Sequence, residues 1–277
     1  MSDAFERTDI VIPVFAGEAA VRRCLESVLA SAAASVADIV VVDDASPEPA
    51  IADYLQTLAT ANKVTLLRHE HNKGFVESVN EAAELHPDRD FVILNADTEV
   101  AGDWLQRLQH HAARNDAVAT VTPFSNNATI ASFPKLVESS ALPRGETTAS
   151  LHALFSSEND QNTVDIPTAI GFCTFIRRAA WQEAGGFDTV FGKGYGEEVD
   201  FCCKLSVGGW QHLLAADVFV FHEGGVSFGA KTDELKVTAQ AIVDKRYPDF
   251  GDTVQRWIEI DPALPYRLAV DLARVNR

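Results

Sequence analysis

Residues 91–100 read Phe-Val-Ile-Leu-Asn-Ala-Asp-Thr-Glu-Val. The first four are apolar without alternation, so a strand here has both faces covered, as in the interior of a parallel sheet. The run stops at Asn95-Ala96-Asp97, which puts polar side chains where the strand leaves the sheet. The same construction recurs on both sides. Asp9–Phe15, Ile39–Val42, Val64–Leu67 and Val118–Val121 are short apolar runs rich in β-branched residues. Between the runs lie helical patterns over Glu18–Ala34, Pro49–Ala61, Phe75–Leu85 and Trp104–Arg114. In the third, Phe75, Val79, Ala82 and Ala83 fall at helical spacing, with Glu77, Glu81 and Glu84 elsewhere on the surface. This alternation predicts βαβ units around a parallel sheet. In such sheets ligands bind outside the carboxyl ends of the strands.

The residues at those ends are Ala16-Gly17-Glu18, Asp43-Asp44-Ala45-Ser46, His69 to Gly74, and Asn95 to Glu99. The first turn, Phe15 to Ala20, holds one glycine, so the dinucleotide fingerprint is missing there, and a P-loop is equally absent. Residues 122–167, rich in Pro, Ser, Asn and Thr, read as long loops. A second block follows: an apolar stretch Ala169–Ile176, a helix at Arg178–Ala184 and the glycine-rich FGKGYGEEVDF of residues 191–201. A helix over Glu198–Val207 then leads to a strand Leu213–Phe221, which ends in His222-Glu223-Gly224-Gly225. From Asp233 the pattern is helical, broken by Pro248, Pro262 and Pro265.

The chain has 277 residues, 40 acidic and 23 basic, for a formal charge of −17. Residues 231–277 carry 8 of each sign, so the first 230 hold the whole excess. A surface this acidic repels phosphate backbones, which argues against nucleic acid as a partner. Cys24, Cys173, Cys202 and Cys203 form neither a CxxC pair nor a disulfide framework. The start, MSDAFERTDIVIPVF, lacks a signal peptide's basic and apolar regions, and no run approaches the roughly 20 apolar residues of a membrane helix. A cytoplasmic protein in a reducing compartment is expected.

The local motifs form an ordered set: Asp43-Asp44 in VVDDASP, Asn72-Lys73-Gly74-Phe75 with Asn80, and Asp97 in LNADTEV. Gly185 to Asp188, Gly196 to Asp200, Gly208-Gly209-Trp210, and His222 with Gly224-Gly225 complete it. In this order, from about Thr8 to Gly229, the chain resembles family 2 glycosyltransferases, and within them a bacterial cell-surface-polysaccharide, rhamnosyltransferase-like branch. The resemblance implies a GT-A fold: α/β, with a mostly parallel central sheet flanked by helices and a C-terminal helical tail. It implies a domain over 1–230, with a nucleotide-binding half (1–125) and an acceptor-binding half (126–230), and a helical extension over 231–277. The implied reaction is inverting, metal-dependent transfer of a sugar from a UDP- or dTDP-linked donor to a hydroxyl of a glycan or lipid-linked glycan. No membrane span is implied, and peripheral contact with the inner face of the membrane is a further expectation.

The resemblance also implies roles. Pro13, Phe15, Asp43, Asp44, Asn72, Lys73, Gly74, Asn95 and Ala96 would meet the nucleotide. Asp97 and His222 would hold Mn2+ or Mg2+. Glu198 would be the base, and Gly171, Phe172, Glu197, Asp200 and Trp210 would meet the acceptor. Two positions depart from the family's usual spelling: Asn95-Ala96-Asp97 stands for Asp-x-Asp, with Glu99 two residues on, and Glu198 stands where Asp is common.

Each residue also has a plainer reading. Asp97 reads as a turn cap, Asp43 or Asp44 as a cap for the helix at Pro49, and the acidic run 197–200 as helix-dipole complementation. Trp181, Trp210 and Phe172 read equally as core or as a sugar platform, while His110-His111 read as helix surface. Alanine at Asp43 or Asp44 is expected to weaken nucleotide binding with little change in melting temperature. A sugar-1-phosphate nucleotidyltransferase would need a basic, glycine-rich loop after the first strand, and Phe15 to Ala20 has no Lys or Arg. A binding module without chemistry has no need of Asp97, Glu198 and His222 together.

Overall fold

The computed structural model describes residues 7–224 and 232–277. Gly225 and the expected domain boundary at residue 230 lie outside the described residues. In chain order the elements begin β1 (Thr8–Val14), α1 (Glu18–Ala30), β2 (Ala37–Asp43), α2 (Pro49–Thr60), β3 (Thr65–Arg68), α3 (Phe75–Ala83) and β4 (Phe91–Leu94). They continue β5 (Thr98–Glu99), α4 (Trp104–Ala113), β6 (Val118–Phe124), α5 (Thr148–Glu158), β7 (Thr163–Asp165), β8 (Cys173–Ile176), α6 (Arg178–Ala184) and α7 (Glu197–Val207). Last come β9 (Gln211–Phe219), β10 (Phe221–His222), α8 (Thr232–Arg246), α9 (Phe250–Ile260) and α10 (Leu264–Val275).

Eight strands form one sheet in the order β3-β2-β1-β4-β8-β6-β9-β7. β3, β2, β1 and β4 are parallel neighbours, and β6 and β9 pair in parallel. β8 and β7 run antiparallel to their neighbours. The sheet is therefore mostly parallel, and its order reverses between β1 and β4. That reversal opens a crevice at the carboxyl ends of the strands.

β1 shows why the apolar runs lack alternation. Ile10, Ile12 and Val14 belong to one core cluster, with α1, α2, α4 and α5, while Val11 belongs to the other, with α3, α6, α7 and α8. Successive side chains point to opposite faces, and both faces are covered. The C-terminal helices are part of this packing. Ala239 and Val243 of α8 lie in the second cluster, and Val270 of α10 in the first.

Several expectations need correction. Residues 122–167 are not only loop, because α5 packs Leu151, Leu154 and Phe155 into the core. Its start is a capping box in which Ser150, rather than Glu or Gln, answers Thr147. Pro265 does not break a helix but sits in the first turn of α10, where a missing N–H is tolerated. Of His110-His111, His111 is fully buried and hydrogen-bonds Asp217 at 2.6 Å, because β9 covers that side of α4. Trp181 is core, edge-on to Phe91 at 5.0 Å between ring centres. Among the described residues, no helix is long and apolar enough to cross a membrane.

Candidate active site

The crevice at the β1–β4 reversal widens into a cavity of about 800 Å³. One wall comes from strand ends: Pro13 near the end of β1 and Phe15 just after it, Asp44 after β2, Asn72 and Gly74 after β3, and Asn95, Ala96 and Asp97 after β4. His222 closes the same side. The other wall comes from residues 190–195 and from Glu234, Leu235, Thr238, Ala239 and Ile242 of α8.

His222 reaches Asp97 through a two-stranded ribbon. β10 pairs antiparallel with β5, placing His222 opposite Thr98. Asn126, just past β6, fixes the His222 backbone by accepting its N–H at 2.8 Å and donating to its carbonyl at 3.0 Å. The Nδ1 of His222 lies 2.8 Å from the Asn127 carbonyl, which can only accept, so Nδ1 carries the proton. The Nε2 is thereby turned to Asp97 Oδ1 at 3.4 Å. Phe172 stacks on the imidazole at 5.2 Å. Burial disfavours charge on His222, but the hydrogen bond to Asp97, the Asp97 charge and the Asn127 carbonyl together outweigh it, and its pKa is raised above the ordinary imidazole value. Asp97 also accepts from the Gly224 N–H at 3.1 Å. Gly224 has φ +76°, and a Cβ there would overlap the Asn127 amide, so only glycine brings this backbone so close.

This donor set fits a divalent cation. A carboxylate oxygen and an imidazole nitrogen face each other at a separation common to two ligands of one ion, and the second imidazole nitrogen is held by a carbonyl. Glu99, in β5 opposite Phe221, does not line the cavity.

Asp44 organises the loop after β3. Its Oδ1 accepts from the Lys73 N–H at 2.7 Å and meets His69 Nδ1 at 2.7 Å, and its Oδ2 accepts from the Gly74 N–H at 2.8 Å. His69, 6% exposed, continues to Glu81 at 3.2 Å, which also takes the Lys73 ammonium at 2.7 Å. Lys73 therefore points along α3 and does not line the cavity. Asn72 Oδ1 is buried in the cavity wall without a protein partner. Asp43 is turned away: it caps the Ser46 N–H at 2.9 Å, receives Arg68 at 3.0 Å, and does not line the cavity.

α7 begins at Glu197, one residue earlier than the sequence pattern suggests. Glu198 lines a second, water-sized pocket of about 10 Å³ beside Gly171; Phe75 is common to this pocket and the large cavity. Glu197 and Glu198 each keep one buried carboxylate oxygen without a hydrogen-bond partner. Burial raises both pKa values. Glu197 is raised further by the adjacent Glu198 charge, while backbone N–H groups at the helix start hold Glu198 lower. Asp200 faces the C-terminal helices instead, bound by Arg246 at 2.6 Å, Lys204 at 2.6 Å and the Tyr247 hydroxyl at 2.9 Å. Trp210 follows α7 at its far end and packs against the second core cluster, outside the cavity.

Residues 9–185 match the profile of Glycosyl transferase family 2. The chain belongs to that family. Among solved structures, this family 2 chain is similar to "GalNAc-T7 with UDP, GalNAc and Mn2+", at 19% identity and a TM-score of 0.65 over 95% of this chain and 52% of that one. It is also similar to the "Mannosyltransferase PcManGT from Pyrobaculum calidifontis in complex with GDP-Man and Mn2+", at 18% identity and a TM-score of 0.60 over 99% of this chain and 77% of that one. The chain thus spans about half the length of the first. At these identities the likeness is one of fold, and the fold is GT-A. Comparison with curated proteins returns no match.

The family 2 sequence pattern left out the apolar wall. Tyr195 and the α8 residues carry no local signal, since a glycine-rich stretch reads as loop and α8 lies beyond the matched residues. Asn126 and Asn127, which hold His222, show only as polar residues after a strand.

Proposed function

We propose that the protein is an inverting, metal-dependent glycosyltransferase taking a UDP- or dTDP-linked sugar as donor and a glycan or lipid-linked glycan as acceptor. The observation that carries this reading is the Asp97–His222 pair, facing at 3.4 Å on the cavity wall where the sheet order reverses. Asp97 and His222 would hold a divalent cation, which when bound neutralises charge on the departing diphosphate. Asn72 Oδ1 offers an unused acceptor to a ribose hydroxyl or a base N–H, and Phe15, just past β1, offers a ring on the same cavity wall. Asp44 keeps the Lys73 and Gly74 amides in place, so its service to the nucleotide is largely through that loop.

Glu198 would take the acceptor's proton during attack on the anomeric carbon. Its raised pKa brings it nearer the operating pH, where a base is most effective. Glu197 lies beside it, and burial together with the adjacent Glu198 charge raises its pKa as well. Residues 1–125 supply most of the nucleotide side and 126–230 the base, with 231–277 adding a wall; a cytoplasmic location, a bacterial cell-surface polysaccharide product and peripheral membrane contact belong to the same reading.

The test is incubation with UDP-, dTDP- and GDP-sugars in Mn2+ or Mg2+, following nucleoside diphosphate release. Release with one donor, abolished by chelator and restored by metal, is the expected result. Pyrophosphate from a nucleoside triphosphate and a sugar phosphate would point to a nucleotidyltransferase. Binding without turnover would point to an inactive module.

A further inference from the structure

Eleven large apolar residues among those described are exposed, and five of them fall between Ile260 and Val275. Four lie on α10: Leu264, Leu268, Leu272 and Val275, between 43% and 74% exposed. Their spacing places them on one face of the helix, within an arc of about 80°. The opposite face is already occupied. Arg267 and Val270 are buried there, Val270 in the first core cluster, and the Tyr266 carbonyl takes the Asn159 amide of α5's C-terminal end at 3.2 Å. α10 therefore docks on α5 by one side and turns an apolar stripe outward by the other. A helix face left to water is ordinarily polar, so the stripe calls for a partner.

We propose that this stripe is a two-fold dimer contact, in which α10 pairs antiparallel with α10 of a second copy of the chain. A two-fold contact must be self-complementary, and the stripe is. Centred on Leu268, the pairing sets that residue against its own equivalent and Leu264 against the equivalent of Leu272, so apolar side chains meet apolar side chains. The charges agree with the antiparallel direction. Glu259 and Asp261 stand just ahead of α10, and Arg274 and Arg277 at its far end. Antiparallel pairing brings the basic end of one helix to the acidic end of the other, where a parallel pair sets like charges together. Net charge favours this face over the rest. The chain carries −17, but residues 250–277 hold four acidic and four basic side chains, so two copies meet here without the repulsion between their other surfaces. A helix that lies on a membrane carries Lys and Trp beside its apolar face, whereas α10 has neither, and the nearby Trp257 and Tyr266 pack against the first core cluster. No residue of α9 or α10 lines the large cavity, so the pairing leaves both cavities open. The 12 residues of α10 span about 18 Å, which is short for a standard interface, so a dimer of micromolar affinity is expected.

The test is sedimentation velocity on wild type and Leu268→Glu, from about 2 to about 200 μM. Wild type is expected to pass from monomer to dimer with a Kd on the order of 10 μM. Leu268→Glu changes a side chain that is half in solvent and sets two carboxylates against each other across the two-fold axis. It should raise Kd by roughly tenfold or more while the melting temperature stays at the wild-type value. Leu268→Cys should cross-link to a second copy under mild oxidation, because the axis places position 268 against itself. Val207→Cys, at an 89% exposed position ending α7, should not. Monomeric wild type at the highest concentration, a Kd unmoved by Leu268→Glu, or equal cross-linking from Val207→Cys overturns the proposal. Monomeric wild type that sediments with phosphatidylglycerol vesicles, and no longer does so as Leu268→Glu, overturns it in favour of a membrane surface.

Discussion

The strand-end wall of the cavity and the wall built by residues 190–195 with α8 hold their side chains by opposite means. At the strand ends, polar groups are fixed by backbone. Asp44 accepts two amide N–H groups, Asp97 accepts one, and His222 gives its Nδ1 proton to a carbonyl. On the other wall, apolar side chains are fixed by packing on a helix that lies outside the matched span of 9–185. Polar groups set by sheet geometry suit a ligand part that never varies, such as a nucleoside diphosphate. Packed side chains on an added helix can be exchanged without disturbing the sheet.

Breaking the polar wall should have the largest effect. Asp97→Ala removes the carboxylate that faces His222 on the cavity wall, and if that pair holds the cation, nucleoside diphosphate release should fall on the order of 10⁴-fold in protein shown folded by circular dichroism. Glu198→Gln comes next, with turnover down about 10³-fold and donor and metal binding intact by calorimetry. Glu197→Gln should lose much less, because successive helix residues point about 100° apart and Glu197 does not line the small pocket that Glu198 lines. Near-wild-type turnover in folded Glu198→Gln would move the base elsewhere.

Asp44→Ala has a smaller effect of two kinds. Losing its hydrogen bonds should weaken UDP binding by about 1.5–3 kcal/mol, and leaving the Lys73 and Gly74 amides unpaired should also lower the melting temperature. The sequence alone suggests an effect on binding without one on stability. The burial of Asp44, at 4% exposure and with three partners, changes that expectation.

The smallest effect lies away from both walls. His212 accepts from or donates to Thr120 at 2.8 Å, faces the Cys202 carbonyl at 3.1 Å, and burial lowers its pKa to about 4. The folded state therefore favours neutral His212, and its contribution is complete above about pH 6.5 and is lost as pH falls toward 4. From pH 6.5 to 5.5 it should remove about 1 kcal/mol, read from urea midpoints. Glu197, with its pKa raised, gives a slope of the opposite sign, so the difference between wild type and His212→Gln isolates the histidine. A difference that does not change over this range would refute the assignment.

What could be read from sequence follows the same division. The strand ends were legible because an apolar run has a visible end, and β4 falls on Phe91–Leu94 as its pattern suggests. His222 was legible because glycine follows it. Asp43 and Asp44 are identical as letters, yet one strand's alternation sends Asp43 to Arg68 and leaves Asp44 to the cavity wall. Tyr195 was not legible, because no periodicity says which side chain of a glycine-rich loop faces a cavity. α5 was missed because Ser and Thr dilute its apolar face, and the burial of His111 depends on β9, roughly a hundred residues further along.

The central claim is that Asp97 and His222 make nucleoside diphosphate binding depend on a divalent cation. Isothermal titration of UDP, dTDP and GDP into wild type and Asp97→Ala, with Mn2+ and with EDTA, tests it most directly. The account predicts that at least one nucleotide binds wild type with higher affinity in Mn2+ than in EDTA, and that Asp97→Ala binds equally weakly in both. Equal affinity of wild type in Mn2+ and EDTA, or full metal dependence surviving in Asp97→Ala, would contradict it.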